Sequence, residues 1–426
     1  MALTPLPPHL LPLTSRVSDE GRLSVGGVDV LDLAAEHGTP LFVYDEEHLR
    51  LRCQEAVAAF GDGVAYAAKA FLCRAMAALA HEEGMCIDVS TGGEMHVALA
   101  AGVPPGRLVL HGNNKSVEEL VVAVEAGVGR IVVDSFDEID RLEHLASTGQ
   151  SRPKVLLRIT PGIEAHTHEY VRTGQDDSKF GFTVATGVAA QAVRRLRESA
   201  SLDLVGVHAH IGSQIFLLAS FVRAVEVIAD FFVPLELAEL CVGGGLGVAY
   251  VEGEEAPTIE EWAETVRSAC SAVGIPASTR VTAEPGRAVV AGAGLTLYRV
   301  GTVKDLPGIR TYVSVDGGMS DNPRPVLYGS GYEAFLPRAT GAERSSVATV
   351  VGKHCESGDV VVRDACLPAD LVVGDILATP VTGAYGHSMA SNYNKVPRAP
   401  VIFVRDGRAR VVVRRETYDD LLRLDL

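Results

Sequence analysis

The sequence predicts an eight-stranded (β/α)8 barrel of the TIM type joined to a mainly antiparallel β domain. Three observations carry this. Short β-branched runs ending in polar residues alternate with helix-like segments eight times; the first four begin 22 residues apart; and after Ala291 the helical texture gives way to short alternating strands. The 426 residues leave room for both parts.

The eight runs are VAYAAKA from Val64, CIDVST from Cys86, LVLHG from Leu108, RIVVDS from Arg130, KVLLRIT from Lys154, LVGVHAH from Leu204, LCVGGG from Leu240 and VTAEPGR from Val281. Between them Ala70–Glu83 is rich in Ala and Leu and stops before Gly84. Ser116 and Glu119 have capping-box spacing ahead of VVAVEA, and Gly127 follows as a stop. Asp137–Leu145 and Ala185–Ser199 show helical periodicity. The unequal later spacings imply insertions at 161–182 and near 213–221. In the C-terminal part LTLYRVGTV, TYVSVDGG, SVATVVG, VVVRD and PVIFVRDGRARVVVRRE read as strands. RLSVGGVDV and LFVYDE, near the N-terminus, are expected to belong to this β domain rather than to the barrel. The expected division is 46–291 for the barrel, with 1–45 and 292–426 forming the β domain.

Composition narrows the function. The net charge is −16 and no basic block occurs, which argues against nucleic acid or an anionic membrane as partner. Seven scattered cysteines, none in CxxC, read as reduced thiols of a cytoplasmic protein. MALTPLPPHLLPL has no basic n-region, and no apolar stretch approaches the ~18 residues of a membrane span.

In such a barrel the site lies at the C-terminal strand ends. That position picks out Lys69, Asp88, His111, Asp134, Arg158, His210, the glycines 243–245, Glu284 and Arg287. A lysine there, its stem buried and its amine in the mouth, is partly desolvated and suited to Schiff-base chemistry; otherwise it is a surface lysine at a strand edge. Gly243-Gly244-Gly245-Leu246-Gly247 lets backbone N–H groups approach a phosphate, yet it lacks dinucleotide or P-loop spacing and is otherwise a tight turn. Glu284 offers a carboxylate that would keep a pyridine nitrogen protonated, or else forms a structural ion pair with Arg287. No metal-ligand spacing is evident, and none is expected.

Taken together, YAAKAF, DVSTGGE, HGNNKS, EAHTHEY, DSKFGF, HAHIGSQI, GGGLG, EPGRAVV, DGGMSDNPRP, KHCESGD and GAYGHSMASNYN resemble the diaminopimelate decarboxylases, pyridoxal-phosphate enzymes of the alanine racemase-like barrel class. The match runs in order from about residue 25 to about 420. The resemblance implies pyridoxal 5′-phosphate as cofactor and decarboxylation of meso-2,6-diaminopimelate to L-lysine and CO2, the last step of lysine biosynthesis, through an external aldimine. It implies that Lys69 forms the Schiff base with the cofactor and that His210 stacks on its ring. Ser213, Gly244, Gly245, Pro285, Gly286 and Arg287 would cradle the phosphate, and Glu284 would meet the ring nitrogen. Arg287, Arg324 and Tyr328 would hold substrate, Tyr385 would touch phosphate and substrate, and Cys355 would act as proton donor. Cys355 and the substrate-binding Glu356 would come from the partner subunit of a homodimer.

The residue types suit that chemistry. A thiol can return a proton to carbon, an arginine fork suits the distal carboxylate of the substrate, and an acid suits its distal ammonium. Two departures stand out: FLLASF with Leu217 and Leu218 after HIGSQI, where the family commonly has an acidic residue, and His387 where an aromatic is frequent. A same-fold decarboxylase acting on ornithine, lysine, arginine or a carrier-linked amino acid is the alternative; Arg324 argues against substrates without a distal carboxylate. A non-catalytic cofactor-binding barrel is argued against by the β domain and HCESGD.

Overall fold

The computed structural model describes residues 5–147, 152–163 and 177–426. EAHTHEY lies outside them. The chain folds as two compact units: Cys53–Gly247 with Ala256–Ala288, and Met1–Arg52 with Val248–Glu255 and Val289–Leu426.

The first unit is the barrel. Its eight strands are Ala65–Ala67, Cys86–Val89, Leu108–Leu110, Arg130–Val133, Lys154–Thr160, Asp203–Ala209, Glu239–Cys241 and Arg280–Thr282, each parallel to the next. Closure is by backbone: Ala65 N–H donates to Ala283 O at 3.0 Å and Ala67 N–H to Pro285 O at 3.2 Å. All eight runs read from the sequence are barrel strands.

Side chains on a strand alternate, so residues two apart share a face. Ala65, Cys86, Val109, Val132, Leu156 and Cys241, one from each of six strands, pack together as an apolar core. Two residues further on, the same positions read Ala67, Asp88, His111, Asp134, Arg158 and Gly243, with Glu284 two beyond Thr282. The apolar layer therefore supports a polar one at the C-terminal ends. The sixth strand breaks the count with a bulge between Leu204 and Gly206, which sets Gly206 opposite Leu156 and His208 opposite Arg158. A Cβ on Gly206 would stand 2.2 Å from Glu239 O, so only glycine fits.

The helices form where expected, with adjusted ends. Ser116 accepts from the Glu119 N–H while Glu119 reaches back to Ser116 N–H, and Gly127 closes the helix Val117–Ala126 at φ 77°. The helix expected over Ala70–Glu83 starts at Arg74, because Ala68–Ala70 forms a separate 3-10 turn. The 161–182 insertion returns along the barrel: Phe182–Thr183 pairs in parallel with Ile159 and Thr160.

In the second unit Gly294–Leu306 is the central strand. It pairs antiparallel with Arg310–Val315, Ile376–Pro380 and Leu41–Asp45. Ser346–Val351 and Val360–Leu367 extend one side, and Val401–Arg405 with Arg408–Val413 the other. LFVYDE thus joins the C-terminal strands as expected. RLSVGGVDV lies in the same unit but outside that sheet: Leu23–Val25 and Val28–Asp29 form a local three-stranded sheet with Arg16–Val17. The Gly26-Gly27 turn folds them back on each other, both glycines having positive φ.

Lys115 of HGNNKS explains its motif structurally. Its buried amine donates at 2.7 Å to Gly112 O, Val132 O and Glu138 Oε1, and Glu138 also accepts from Asp134 N–H. Lys115→Met leaves Glu138 buried without its cation. It should lower unfolding free energy by about 3–5 kcal/mol, and adding Glu138→Leu should recover much of the loss, as read from urea denaturation of the three proteins.

Candidate active site

The polar layer of the barrel is organised on one carboxylate. Glu284 is buried; its Oε1 lies 2.9 Å from Nε2 of His111 and its Oε2 lies 3.0 Å from Nε2 of His208. The same His111 nitrogen is 3.5 Å from Asp88. Burial alone would raise the pKa of Glu284; the two imidazoles outweigh it and hold the carboxyl well below its ordinary value. Burial lowers His111 too, but Asp88 and Glu284 together bring it above its ordinary value. His208, with one acid neighbour, is pushed down to about 4 by burial. Burial lifts Asp88 to about 6. The layer thus holds a charged His111 between two carboxylates, and a neutral His208.

Arg158 and Asp134 continue the layer at 3.8 Å. The returning insertion packs on both: Gly181 N–H donates to Asp134 at 2.8 Å, and the Arg158 guanidinium lies 4.2 Å from the Phe180 ring centroid. These contacts account for DSKFGF.

Above the sixth and seventh strands two loops interlock. Ile215 N–H donates to Gly245 O at 2.9 Å, and Gly247 N–H to Ile215 O at 3.0 Å. Gly244 N–H donates to Nδ1 of His210 at 3.1 Å, so that nitrogen bears no proton. His210 is half-buried; burial first, then Lys69 and Arg158, hold its pKa well below the ordinary value. Glycine is required here by close approach: an added Cβ would lie 2.3 Å from Glu284 O at Gly244, 2.5 Å from Gly212 O at Gly245 and 2.9 Å from the Ala67 Cβ at Gly286. Arg287 Nη2 donates to Ser213 Oγ at 3.0 Å. Pro285 and Gly286 are buried, and Pro285 O is the barrel-closing acceptor.

Lys69 corrects one expectation. Its stem is not buried: the residue is exposed, flanked by buried Ala68 and Ala70 in the 3-10 turn after the first strand. The turn carries the side chain out of the strand's alternation. Its charge still acts on Asp88 and His210.

The β unit holds the other candidates. Arg324 is buried at the start of helix Arg324–Tyr328, its guanidinium 4.2 Å from the Tyr250 centroid and 5.5 Å from that of Tyr332, with Nη1 donating to the Tyr332 hydroxyl at 2.5 Å. Tyr385 is near enough to act on its charge. Tyr385 itself has φ 59°, a costly conformation for a tyrosine. Tyr328 is half-buried at the other end of the helix. Cys355 and Glu356 are exposed on a loop fixed from beneath. Asp359 accepts from His354 N–H at 2.8 Å and Met319 N–H at 2.7 Å, and Cys355 N–H donates to Asn394 Oδ1 at 3.3 Å. The Tyr393 hydroxyl donates to Glu356. Sequence reasoning missed Tyr250, Tyr332, Asn394 and Tyr393 as partners; Tyr393 and Asn394 stand inside the quoted GAYGHSMASNYN. His387, the departure from the family pattern, still meets Phe42 edge-on at 5.7 Å, and burial lowers its pKa to about 4, so it serves as a neutral aromatic ring.

The family described as "Pyridoxal-dependent decarboxylase, pyridoxal binding domain" matches residues 46–291. The diaminopimelate decarboxylase of Mycobacterium tuberculosis strain H37Rv is 48% identical over 441 aligned residues, covering 99% of this chain and 98% of that protein. That of Bacillus subtilis is 47% identical, covering 97% of each. The crystal structure of diaminopimelate decarboxylase from M. jannaschii in complex with L-lysine superposes with a TM-score of 0.91 at 32% identity, covering 97% of this chain and 98% of that one. The chain belongs to the diaminopimelate decarboxylase family. It is a pyridoxal-phosphate-dependent carboxy-lyase, and its cofactor is pyridoxal 5′-phosphate. The residues present fit that group: the charge of Lys69 reaches Asp88 and His210 in the layer that holds the Glu284 carboxylate ionised, and a glycine cradle that no Cβ could enter is flanked by Arg287 and Ser213.

His111→Leu takes the imidazole from between Asp88 and Glu284. The pairing needs ionised carboxyls and a charged imidazole, so the stability it contributes is lost as pH falls through the carboxyl values and again as pH rises through the raised value of His111. Melting of the cofactor-free protein should show the largest deficit, about 3–5 kcal/mol, between those limits at about pH 6.5, and smaller ones at about pH 4 and about pH 10. An equal deficit at all three pH values would remove His111 as their counter-charge.

Proposed function

We propose that this protein decarboxylates meso-2,6-diaminopimelate to L-lysine and CO2. The supporting observation is the buried Glu284 carboxylate, held ionised beneath the glycine cradle, in a chain 48% identical to a diaminopimelate decarboxylase over nearly its whole length. The M. jannaschii relative was crystallised with L-lysine, the product this reading requires.

Pyridoxal phosphate, when bound, supplies the sink for the electron pair left on the α-carbon as the carboxylate departs as CO2. The chain's own residues do the rest. Lys69 would hold the cofactor through its amine. Glu284, accepting from two imidazoles and still carrying its charge, would receive the ring N–H. His210, neutral and with Nδ1 engaged by Gly244, would offer a flat face to the ring. Ser213, Gly244, Gly245, Gly286 and Arg287 would hold the phosphate, with Pro285 fixing the loop and Tyr385 adding a hydroxyl. Arg324 would take the distal carboxylate of the substrate and Glu356 its distal ammonium, with Arg287 and Tyr328 as further substrate-binding groups. The Cys355 thiol delivers a proton to the α-carbon where the carboxylate left.

Purified protein should release CO2 from the meso isomer and not at comparable rate from ornithine or L-lysine, and Lys69→Ala should abolish release. Equal release from ornithine would transfer the reading to a diamine-forming decarboxylase.

We infer a cytoplasmic homodimer with shared sites. Exposed Cys355 and Glu356 stand on an ordered loop, as groups serving a neighbouring chain would. No disulfide joins any of the seven cysteines, which suits a reducing compartment. No helix among the described residues is long and apolar enough to cross a membrane. A two-fold dimer builds two equivalent sites from one interface. Lys69→Ala and Cys355→Ala proteins, each nearly inactive, should regain roughly a quarter of wild-type activity after subunit exchange, since half the dimers are mixed and each carries one intact site. A mixture that stays inactive despite proven exchange removes the shared site.

A further inference from the structure

Arg324 is a buried cation with an unusual set of neighbours. Among the described residues no carboxylate pairs with it. Its neighbours are the rings of Tyr250 and Tyr332, which meet edge-on at 5.2 Å, and the Tyr332 hydroxyl that accepts from Nη1. All three residues are at least nine-tenths buried. Burial by itself lowers the guanidinium pKa; the tyrosines Tyr250, Tyr332 and Tyr385 act in the opposite sense and prevail. An arginine has five N–H donors. One goes to Tyr332, and the ring faces hold the guanidinium plane without taking any.

The two tyrosines are themselves built in. Tyr250 sits on the short segment Val248–Glu255, which belongs with the β unit although it follows a barrel strand in sequence. Glu252 N–H donates to Glu333 Oε1 at 3.0 Å, and Arg344 bridges Glu252 at 2.8 Å and Glu333 at 3.5 Å. The segment is thereby fastened beside Tyr332. Tyr250 N–H also donates to Glu254 at 2.8 Å.

We propose that Tyr250 and Tyr332 are positioning residues that aim the Arg324 fork at the distal carboxylate and so set selectivity for a substrate bearing one. This rests on the reading that Arg324 receives that carboxylate. An acidic partner would orient the guanidinium but neutralise it and compete with the substrate's own anion. Aromatic faces and one neutral hydroxyl orient it and leave its charge and remaining donors for the ligand.

The test uses the holoenzyme and two ligands that differ at the distal end: meso-diaminopimelate, with the carboxylate, and cadaverine (1,5-diaminopentane), without it. Steady-state kinetics give KM and kcat for the first, and titration of the visible spectrum gives the dissociation constant of the second. Tyr332→Phe, which loses a single oxygen, and Tyr250→Leu, which loses the ring, should each raise KM for diaminopimelate by about three- to thirtyfold. kcat should change less, and the cadaverine dissociation constant should stay within about twofold, since that ligand has no carboxylate to meet the fork. In an Arg324→Ala background the same changes should add nothing further. A parallel loss of affinity for both ligands would reduce the tyrosines to packing, and wild-type KM values in both variants would remove them altogether. Arg324→Ala weakening both ligands equally would instead overturn the assignment of Arg324 itself.

Discussion

A carboxylate inside a barrel is costly to ionise, and the rest of the barrel's polar layer follows from that cost. Glu284 keeps its charge because both oxygens have an imidazole donor within 3.0 Å. His111 needs acidic neighbours to stay charged in the same desolvated place, and Asp88 completes the set. Three strand ends besides that of Glu284 are thereby committed to one group. The backbone is committed as well: Glu284 N–H donates to Gly243 O at 2.8 Å, and its own carbonyl is where a Cβ on Gly244 would intrude. Ala65 and Ala67 bond to the residues on either side of it, so the position that carries the charge also closes the barrel. Lys69 follows two residues after that seam. Closure between the first and eighth strands therefore brings the backbone that leads to Lys69 against the backbone of Glu284.

What was legible in the sequence were features with a short period. The 22-residue spacing and the apolar runs marked every barrel strand. The step of two from Cys86 to Asp88, Val109 to His111 and Leu156 to Arg158 marked the polar layer. Glycines that a backbone crowds were legible as GGGLG, and the capping box as Ser116 with Glu119. These are local rules, and the local sequence obeys them. What stayed hidden depended on partners distant in the chain or on a break in periodicity. The bulge at Leu204–Gly206 moves His208 into the layer, and nothing in LVGVHAH announces a skipped residue. Lys69 was expected to have a buried stem, but it stands exposed between two buried alanines in a 3-10 turn. RLSVGGVDV has the alternation of a sheet strand, yet its own Gly-Gly turn satisfies its edges locally. Tyr250 follows a barrel strand and meets Tyr332 more than eighty positions later.

The β unit shows how exposed reactive groups are kept in place. Cys355 and Glu356 are on the surface, where side chains are ordinarily free to move. Here the loop below them is tied by a buried acid, Asp359, and by His354, whose ring nitrogens lie 2.8 Å from Ser320 Oγ and 3.2 Å from Asn394 Oδ1. An added Cβ at Gly318 or Gly352 would run into the Asp359 carboxylate, so both glycines make room for it. Tyr393 then reaches over the top to Glu356. The order lies in the layer beneath the groups, and their outer faces stay open, as the proposed shared site requires.

Two buried arginines in this unit show how neighbours decide what a cation is for. Arg344 is bracketed by Glu252 and Glu333, its charge is matched, and it acts as a fastener between segments. Arg324 is buried to the same degree and has tyrosines where Arg344 has carboxylates. A buried ion lacking a counter-charge is expensive unless one arrives. The cost is tolerable because the guanidinium is weakly hydrated and the ring faces recover part of what water gave. The remainder is available to whatever anion comes next. Fastening by Arg344 holds Tyr250 against Arg324, so the closed ion pair serves the open one. A barrel that keeps a carboxylate charged, on the proposed reading for a ring nitrogen, and a β unit that keeps a guanidinium charged, on that reading for a carboxylate, solve the same problem with opposite sign. Each buries its ion, orients it with groups that do not neutralise it fully, and leaves the last interaction to the ligand.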